Sequence, residues 1–195
     1  MTGRHRDTVT ALTAVTGVAG VLFGVIVGYL LGVSQREPGS GPVAAASTAA
    51  APAAVVNEQE LQAYRNVLAA DPKNARANTE LANRLYDAAR YAEAIPYYQQ
   101  AFAADMRNVN VSTDLATALY YAGRPDEALA QFEKSLAVDP KHGQTLFNLG
   151  IVRRDGKQDP KGAIAAWERL LGAVPDYADA SKVRTMIAEL KTRVS

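Results

Sequence analysis

The chain has 195 residues, a formal net charge of +1 and no cysteine. The lack of cysteine excludes disulfides, thiolate catalysis, iron–sulfur clusters and haem attachment through Cys-x-x-Cys. The balanced charge gives no electrostatic footprint for nucleic acid.

After a short tail at residues 1–8, Val9 to Val33 carries no charged side chain. A helix of that length spans roughly 37 Å, more than the roughly 30 Å hydrocarbon core of a bilayer. A cleaved signal peptide has a shorter apolar region, about 7–15 residues. The Ala-x-Ala sequences at Ala44–Ala46 and Ala49–Ala51 lie well beyond the stretch. The expectation is an uncleaved, single-pass transmembrane anchor at 9–33. Arg4 and Arg6 precede it, and Arg36 follows beside Glu37. That margin favours a cytoplasmic N-terminus, with the rest of the chain outside the cytoplasmic membrane. Gly20, Gly24, Gly28 and Gly32 recur every fourth residue, and Thr16 extends the series. Small residues on one helix face let a second backbone approach closely. The stripe predicts association within the membrane, with a homodimer as its simplest form.

Residues 34–56 read SQREPGSGPVAAASTAAAPAAVV. They have little to bury and are predicted to be a disordered linker. A flexible coil of this length has an end-to-end distance of roughly 25–30 Å.

From residue 57 the chain repeats itself with a period of 34: Leu81, Leu115 and Leu149, then Ala82, Ala116 and Gly150. Asp71-Pro72 returns as Asp105-Met106 and Asp139-Pro140. Tyr64, Tyr98 and Phe132 continue the series. After one added residue, expected within the turn Asp155–Gly162, Trp167 completes it, with Ala163 following Ala94 and Ala128. Each unit reads as two antiparallel helices. The first carries a leucine and a small residue where the second crosses it. The second carries alanine at the crossing and then a large ring. A single unit cannot bury its apolar face, so units must stack. The units are a partial repeat at 57–74, then 75–108, 109–142 and 143–177. At 178–195 a final amphipathic helix places Val183, Met186, Ile187, Leu190 and Val194 on one face, as a cap should.

These recurring residues resemble the tetratricopeptide-repeat (TPR) family over about 57–177. The resemblance implies an all-α TPR superhelix of about three repeats with flanking helices. Two departures stand out: Met106 replaces the terminal proline, and Asn78, Ser112 and Leu146 replace the usual early tryptophan. The architecture resembles bacterial membrane-anchored TPR proteins, and implies a scaffold for assembly or maturation of envelope complexes.

Enzyme chemistry finds little support. Gly150 to Gln158 has one residue too many for a phosphate-binding loop and lacks its Ser or Thr. His5 and His142 are too far apart in sequence to suggest a metal pair, and no cofactor is expected. Asn110-Val111-Ser112 is a glycosylation sequon at a predicted helix start, with no expected use. The chain reads as a binding protein.

In the TPR family the first helices line a concave groove. Helical spacing then points inward Arg76, Thr79, Asn83, Tyr86 and Asp87. The second repeat contributes Asn110, Thr113, Thr117, Tyr120 and Tyr121. The third contributes Gln144, Phe147, Ile151 and Arg154. Aromatic side chains on such a surface are good anchors for a peptide. Phe147 and Ile151 have a competing role, as residues covered by the final helix. Some family members clamp a terminal carboxylate with Lys, Arg and Asn. Here Asn83 fits, but Asp114 replaces an asparagine and Gln144 a lysine, so that clamp is absent. The expected partner is a protein or peptide. The alternative is a structural protein that self-associates through its anchor and repeats.

Overall fold

The repeat becomes a series of antiparallel helix pairs in the computed structural model, which describes residues 57–194. The helices are α1 (Glu58–Ala70), α2 (Ala75–Asp87), α3 (Tyr91–Ala104), α4 (Val109–Tyr121), α5 (Pro125–Val138), α6 (Gly143–Ile151), α7 (Pro160–Ala173) and α8 (Ala180–Val194). No strand occurs among the described residues. Helix α2 packs on α3, α4 on α5 and α6 on α7, and each pair leans on the next. The tail, the anchor expected at 9–33 with Gly20, Gly24, Gly28 and Gly32, and the linker at 34–56 lie outside the described residues. Among the described residues, no helix is long and apolar enough to cross a membrane.

The links between pairs are built by aspartate. The side chains of Asp71, Asp105 and Asp139 accept the backbone N–H two residues on, at 3.3, 3.0 and 3.0 Å. Asparagine then starts the next helix. Asn74 accepts the N–H of Ala77 at 2.9 Å, and Asn108 that of Val111 at 3.1 Å. Each bond satisfies a donor that the first turn of a helix otherwise leaves without a partner. Met106, the replacement for proline, is 68% exposed, and the Asp105 turn forms without the ring.

The packing positions are all buried: Leu81, Leu115 and Leu149, then Ala94, Ala128 and Ala163, then Tyr98, Phe132 and Trp167. The tightest crossing is in the third repeat. A Cβ added to Gly150 would overlap the Trp167 indole. The indole N–H donates to the Phe147 carbonyl at 3.0 Å. Where tryptophan is missing early in the first helices, polar groups fill two of the sites. Asn78 donates to the carbonyls of Pro72 and Asn74, both at 3.0 Å. Ser112 accepts from Gln131 at 2.8 Å and from Ser135 at 2.7 Å. A buried polar group is tolerated when it is hydrogen-bonded in this way.

The added residue of the third repeat does not enter the connecting turn. Ala89, Gly123 and Gln158 hold equivalent positions in the three turns, with φ of 58°, 78° and 54°. The extra residue therefore precedes Gln158. It is absorbed as a π-helical turn, Val152–Gly156, that continues α6. One wider turn takes up one residue without displacing the helix that follows.

Helix α8 buries Ala180, Val183, Ile187 and Leu190, with Met186 half-buried. Val194, expected on the same face, is exposed because the helix runs past the end of its support. Both ends of the stack break the packing pattern. Glu60 occupies the position of Ala94 and Ala128, and meets Arg84 at 2.7 Å. Arg184 and Thr185 occupy the positions of Leu149 and Gly150, and both are exposed.

In residues 53–195, Trp167→Ala is expected to lower the unfolding free energy by about 3–5 kcal/mol. Gly150→Ala should lower it by about 1–3 kcal/mol, because the methyl has nowhere to go. Urea unfolding measures both, and losses below about 1 kcal/mol in both would refute this crossing.

A candidate peptide groove on the first helices

Helices α2, α4 and α6 are the first members of their pairs. Of the residues expected to face the groove, Arg76, Asp87, Asn110 and Tyr121 are exposed. Thr79, Asn83, Tyr86, Thr117, Tyr120, Gln144, Phe147, Ile151 and Arg154 are half-buried. Thr113 departs from the expectation: it is buried, and its hydroxyl contacts that of Thr145 at 2.6 Å and the Val109 carbonyl at 2.8 Å. A threonine at that spacing faces the neighbouring first helix, and offers nothing to a ligand.

The polar residues form a ladder across the groove floor. Asn83 accepts the Tyr98 hydroxyl at 2.8 Å. Thr117 accepts from Asn148 at 3.1 Å, and Asn148 in turn accepts from Gln144 at 2.8 Å. His142 contacts Thr145 at 2.7 Å and Asn110 at 3.1 Å. Burial holds the His142 imidazole below its ordinary pKa. The Thr117–Asn148 and Asn110–His142 bonds tie α4 to α6 and its N-cap, and Asn83–Tyr98 ties α2 to α3, so the floor is a fixed surface with its amides and hydroxyls already engaged.

Aromatic rings form the wall. Tyr86 meets Tyr91 edge-on at 5.2 Å and Tyr121 edge-on at 6.0 Å. Tyr91 and Tyr121 stack at 4.9 Å, and Tyr120 joins Tyr121 at 5.2 Å. Ring pairs of this kind contribute about 0.5–1.5 kcal/mol each beyond area burial. Tyr121 remains 48% exposed, so the cluster keeps an open aromatic edge. Sequence spacing around the packing leucine could not reach Tyr91, which begins α3. The available signal was that tyrosine stands there in place of the proline found at Pro125 and Pro160.

The third-repeat end is partly closed. Phe147 stacks on Tyr177 at 6.0 Å. The guanidinium of Arg154 lies 5.3 Å from the Trp167 ring centre, and bonds Asp155 at 2.6 Å and the Met186 sulfur at 3.6 Å. Its place in the π turn points it toward α7 and α8, so it is not free for a partner as the spacing suggested. Phe147 and Ile151 pack against the core, as do Tyr86 and Tyr120, while Tyr121 is the exposed edge of the cluster and Tyr91 stacks on it.

One charged residue in the groove was legible only as a departure from the carboxylate clamp. Asp114 on α4 is half-buried. Burial, with the nearby Asp87 carboxylate adding to it, pushes its carboxyl up to about 6. Asp114 and Asp87 make no hydrogen bond or ion pair among the described residues.

Profiles described as tetratricopeptide repeat match residues 85–149 and 61–108. This chain belongs to the tetratricopeptide-repeat family. The crystal structure of MamA resembles it with a TM-score of 0.58 and 20% identity, covering 69% of this chain and 77% of that one. The Yersinia enterocolitica type III secretion translocator chaperone SycD resembles it with a TM-score of 0.58 and 16% identity, covering 62% and 94%. SycD in complex with a peptide of the translocator YopD gives a TM-score of 0.57 at 16% identity, covering 62% and 94%. These likenesses show the shared fold. No curated protein sequence matches the chain.

The raised Asp114 carboxyl predicts a pH effect. The folded state takes its proton near pH 6, while the unfolded chain takes it near the ordinary 3.8. Stability from this group is full below about pH 4 and is lost as pH rises through about 6. Asp114→Asn should therefore raise the unfolding free energy at pH 7 by about 1–2 kcal/mol, and the gain should shrink at pH 5. Equal gains at the two pH values would show that the carboxylate charge is not the cause.

Proposed function

We propose that this chain is a membrane-anchored scaffold that captures a peptide or protein segment in the groove of its first helices. The carrying observation is the tyrosine cluster of Tyr86, Tyr91, Tyr120 and Tyr121, held against a packed core with Tyr121 as its exposed edge. Tyrosine supplies a large, rigid contact area with few torsions to freeze on binding. Fixed rings over a fixed floor concentrate binding energy in a few side chains. SycD, which shares the fold, is known in complex with a peptide of the translocator YopD, and this supports a peptide as the occupant. We read the protein as a binding module and not an enzyme, because the groove presents rings and polar groups already committed to one another. On this reading residues 9–33 cross the membrane once with the N-terminus in the cytoplasm, and 34–56 give the repeats their reach. Assembly or maturation of envelope complexes is the role such an arrangement serves.

Capture from solubilised membranes by the full chain tests the groove. Tyr121→Ala and Tyr120→Ala should each weaken capture by about 1–2 kcal/mol, with helical content unchanged. Gln99→Ala, exposed on α3, should have little effect. Silent groove substitutions together with a loss at Gln99 would move the site to the convex side.

The glycine stripe favours a second element of this reading, a homodimer through the anchor. Gly24→Ile with Gly28→Ile should lower the signal in a membrane dimerisation assay. The full chain should also stay with membranes through alkaline extraction, with its N-terminus intact. A mature chain starting near residues 45–55 would refute the anchor. Residues 53–195 that cross-link into defined oligomers would favour the self-association alternative.

A further inference from the structure

We infer that the groove selects a partner segment carrying a lysine or arginine, and that Asp114 and Asp87 receive this side chain beside Tyr86 and Tyr121. The inference rests on the groove reading above and adds the chemistry of the occupant. Its starting point is a charge arrangement that the folded chain leaves uncompensated. Asp114 lies mid-helix on α4, half-buried, with Tyr121 two turns on along the same face. Asp87 is the last residue of α2, where the helix dipole already places negative potential. Asp87 disfavours the ionised form of Asp114, and Asp114 also acts electrostatically on the Tyr86 and Tyr98 hydroxyls.

The cations that could answer them are engaged elsewhere or too far away. Arg84, the cation acting on Asp87, is held by Glu60 at 2.7 Å. Arg154 is held by Asp155 at 2.6 Å. Arg76 lies three turns before Asp87, roughly 16 Å along the axis of α2. Arg90 is bonded to Glu93 at 2.7 Å and to Glu58 at 2.5 Å.

A lysine or arginine from a partner resolves this arrangement on two counts. Its charge meets the half-buried Asp114 carboxylate, where an ion pair is stronger than at an open surface. Its stem and charge can lie against a tyrosine face, which attracts cations. A chain-terminal carboxylate has the opposite fate, because Asp114 would repel it. The site thus reverses the preference of the carboxylate clamp with the residue that broke the clamp's pattern.

The test uses a display library of random 12-residue peptides selected on the full chain. Selected peptides should share one position enriched in Lys or Arg. Changing that residue to Gln, or Asp114 to Asn in the protein, should each weaken binding tenfold or more. Making both changes should add little further loss, as measured by fluorescence anisotropy. Peptides that depend on Tyr121 yet show no basic position, or that ignore Asp114→Asn, overturn the cation inference and leave the groove reading intact. Selected peptides indifferent to both Tyr120→Ala and Tyr121→Ala, or no selected peptides at all, overturn both. Enrichment of acidic residues or of a free C-terminal carboxylate overturns the inference outright.

Discussion

The closest approach of the two helices within a repeat is the constraint on which the rest of this domain depends. One helix must present a small residue where the other presents a large ring. In the third repeat glycine meets tryptophan with no room for a methyl group, and the indole N–H is tied to the Phe147 carbonyl. That single contact sets the separation of α6 and α7 and fixes the backbone that carries Phe147. In the first repeat the phenol of Tyr98 reaches Asn83, so a core ring again holds a groove residue in place. The core and the concave surface are therefore one mechanical system. The large rings fill space on one side, and the polar ends of Tyr98 and Trp167 position groove residues on the other.

Polar residues at interior sites follow the same logic. Asn78 and Ser112 occupy places where a large aromatic would otherwise pack, and both bond fully to nearby groups. No buried side-chain nitrogen or oxygen among the described residues lacks a partner. A fully satisfied network of this kind specifies one arrangement of the helices, since any shift would strand a donor or an acceptor. The threonine contact between α4 and α6 does this across a repeat boundary, where apolar packing alone would allow sliding.

The period, the packing positions and the aspartate turns were legible because each depends on local spacing. Leu81 and Ala82 announce their partners 34 residues later, and Asp71 needs only the next two residues to make its turn. Three features were not legible for a common reason: they depend on which neighbour a side chain meets. Thr113 shares the spacing of a groove residue but meets Thr145. Tyr91 joins the aromatic wall from the start of a second helix, outside any pattern centred on the first. The extra residue of the third repeat could be counted but not placed, because a turn and a widened helix end absorb it equally well in sequence. Arg154 was misjudged for that reason, since the wider turn directs it toward Trp167 and Met186.

The stack also has a built-in length. Its interior surfaces accept a further pair of helices, but α1 and α8, the outermost of the described helices, do not. Glu60 at one end and Arg184 with Thr185 at the other occupy the seats that leucine and alanine hold inside. A new unit joined at the α1 end would have to bury the Glu60–Arg84 pair, and one at the α8 end would have to bury Arg184, and taking such charges out of water is costly. Lengthening by duplication is therefore easiest between α2 and α7, where every surface meets its own kind. Gene fusions at the termini would yield neighbours on a string, and only internal copying would yield a longer spiral.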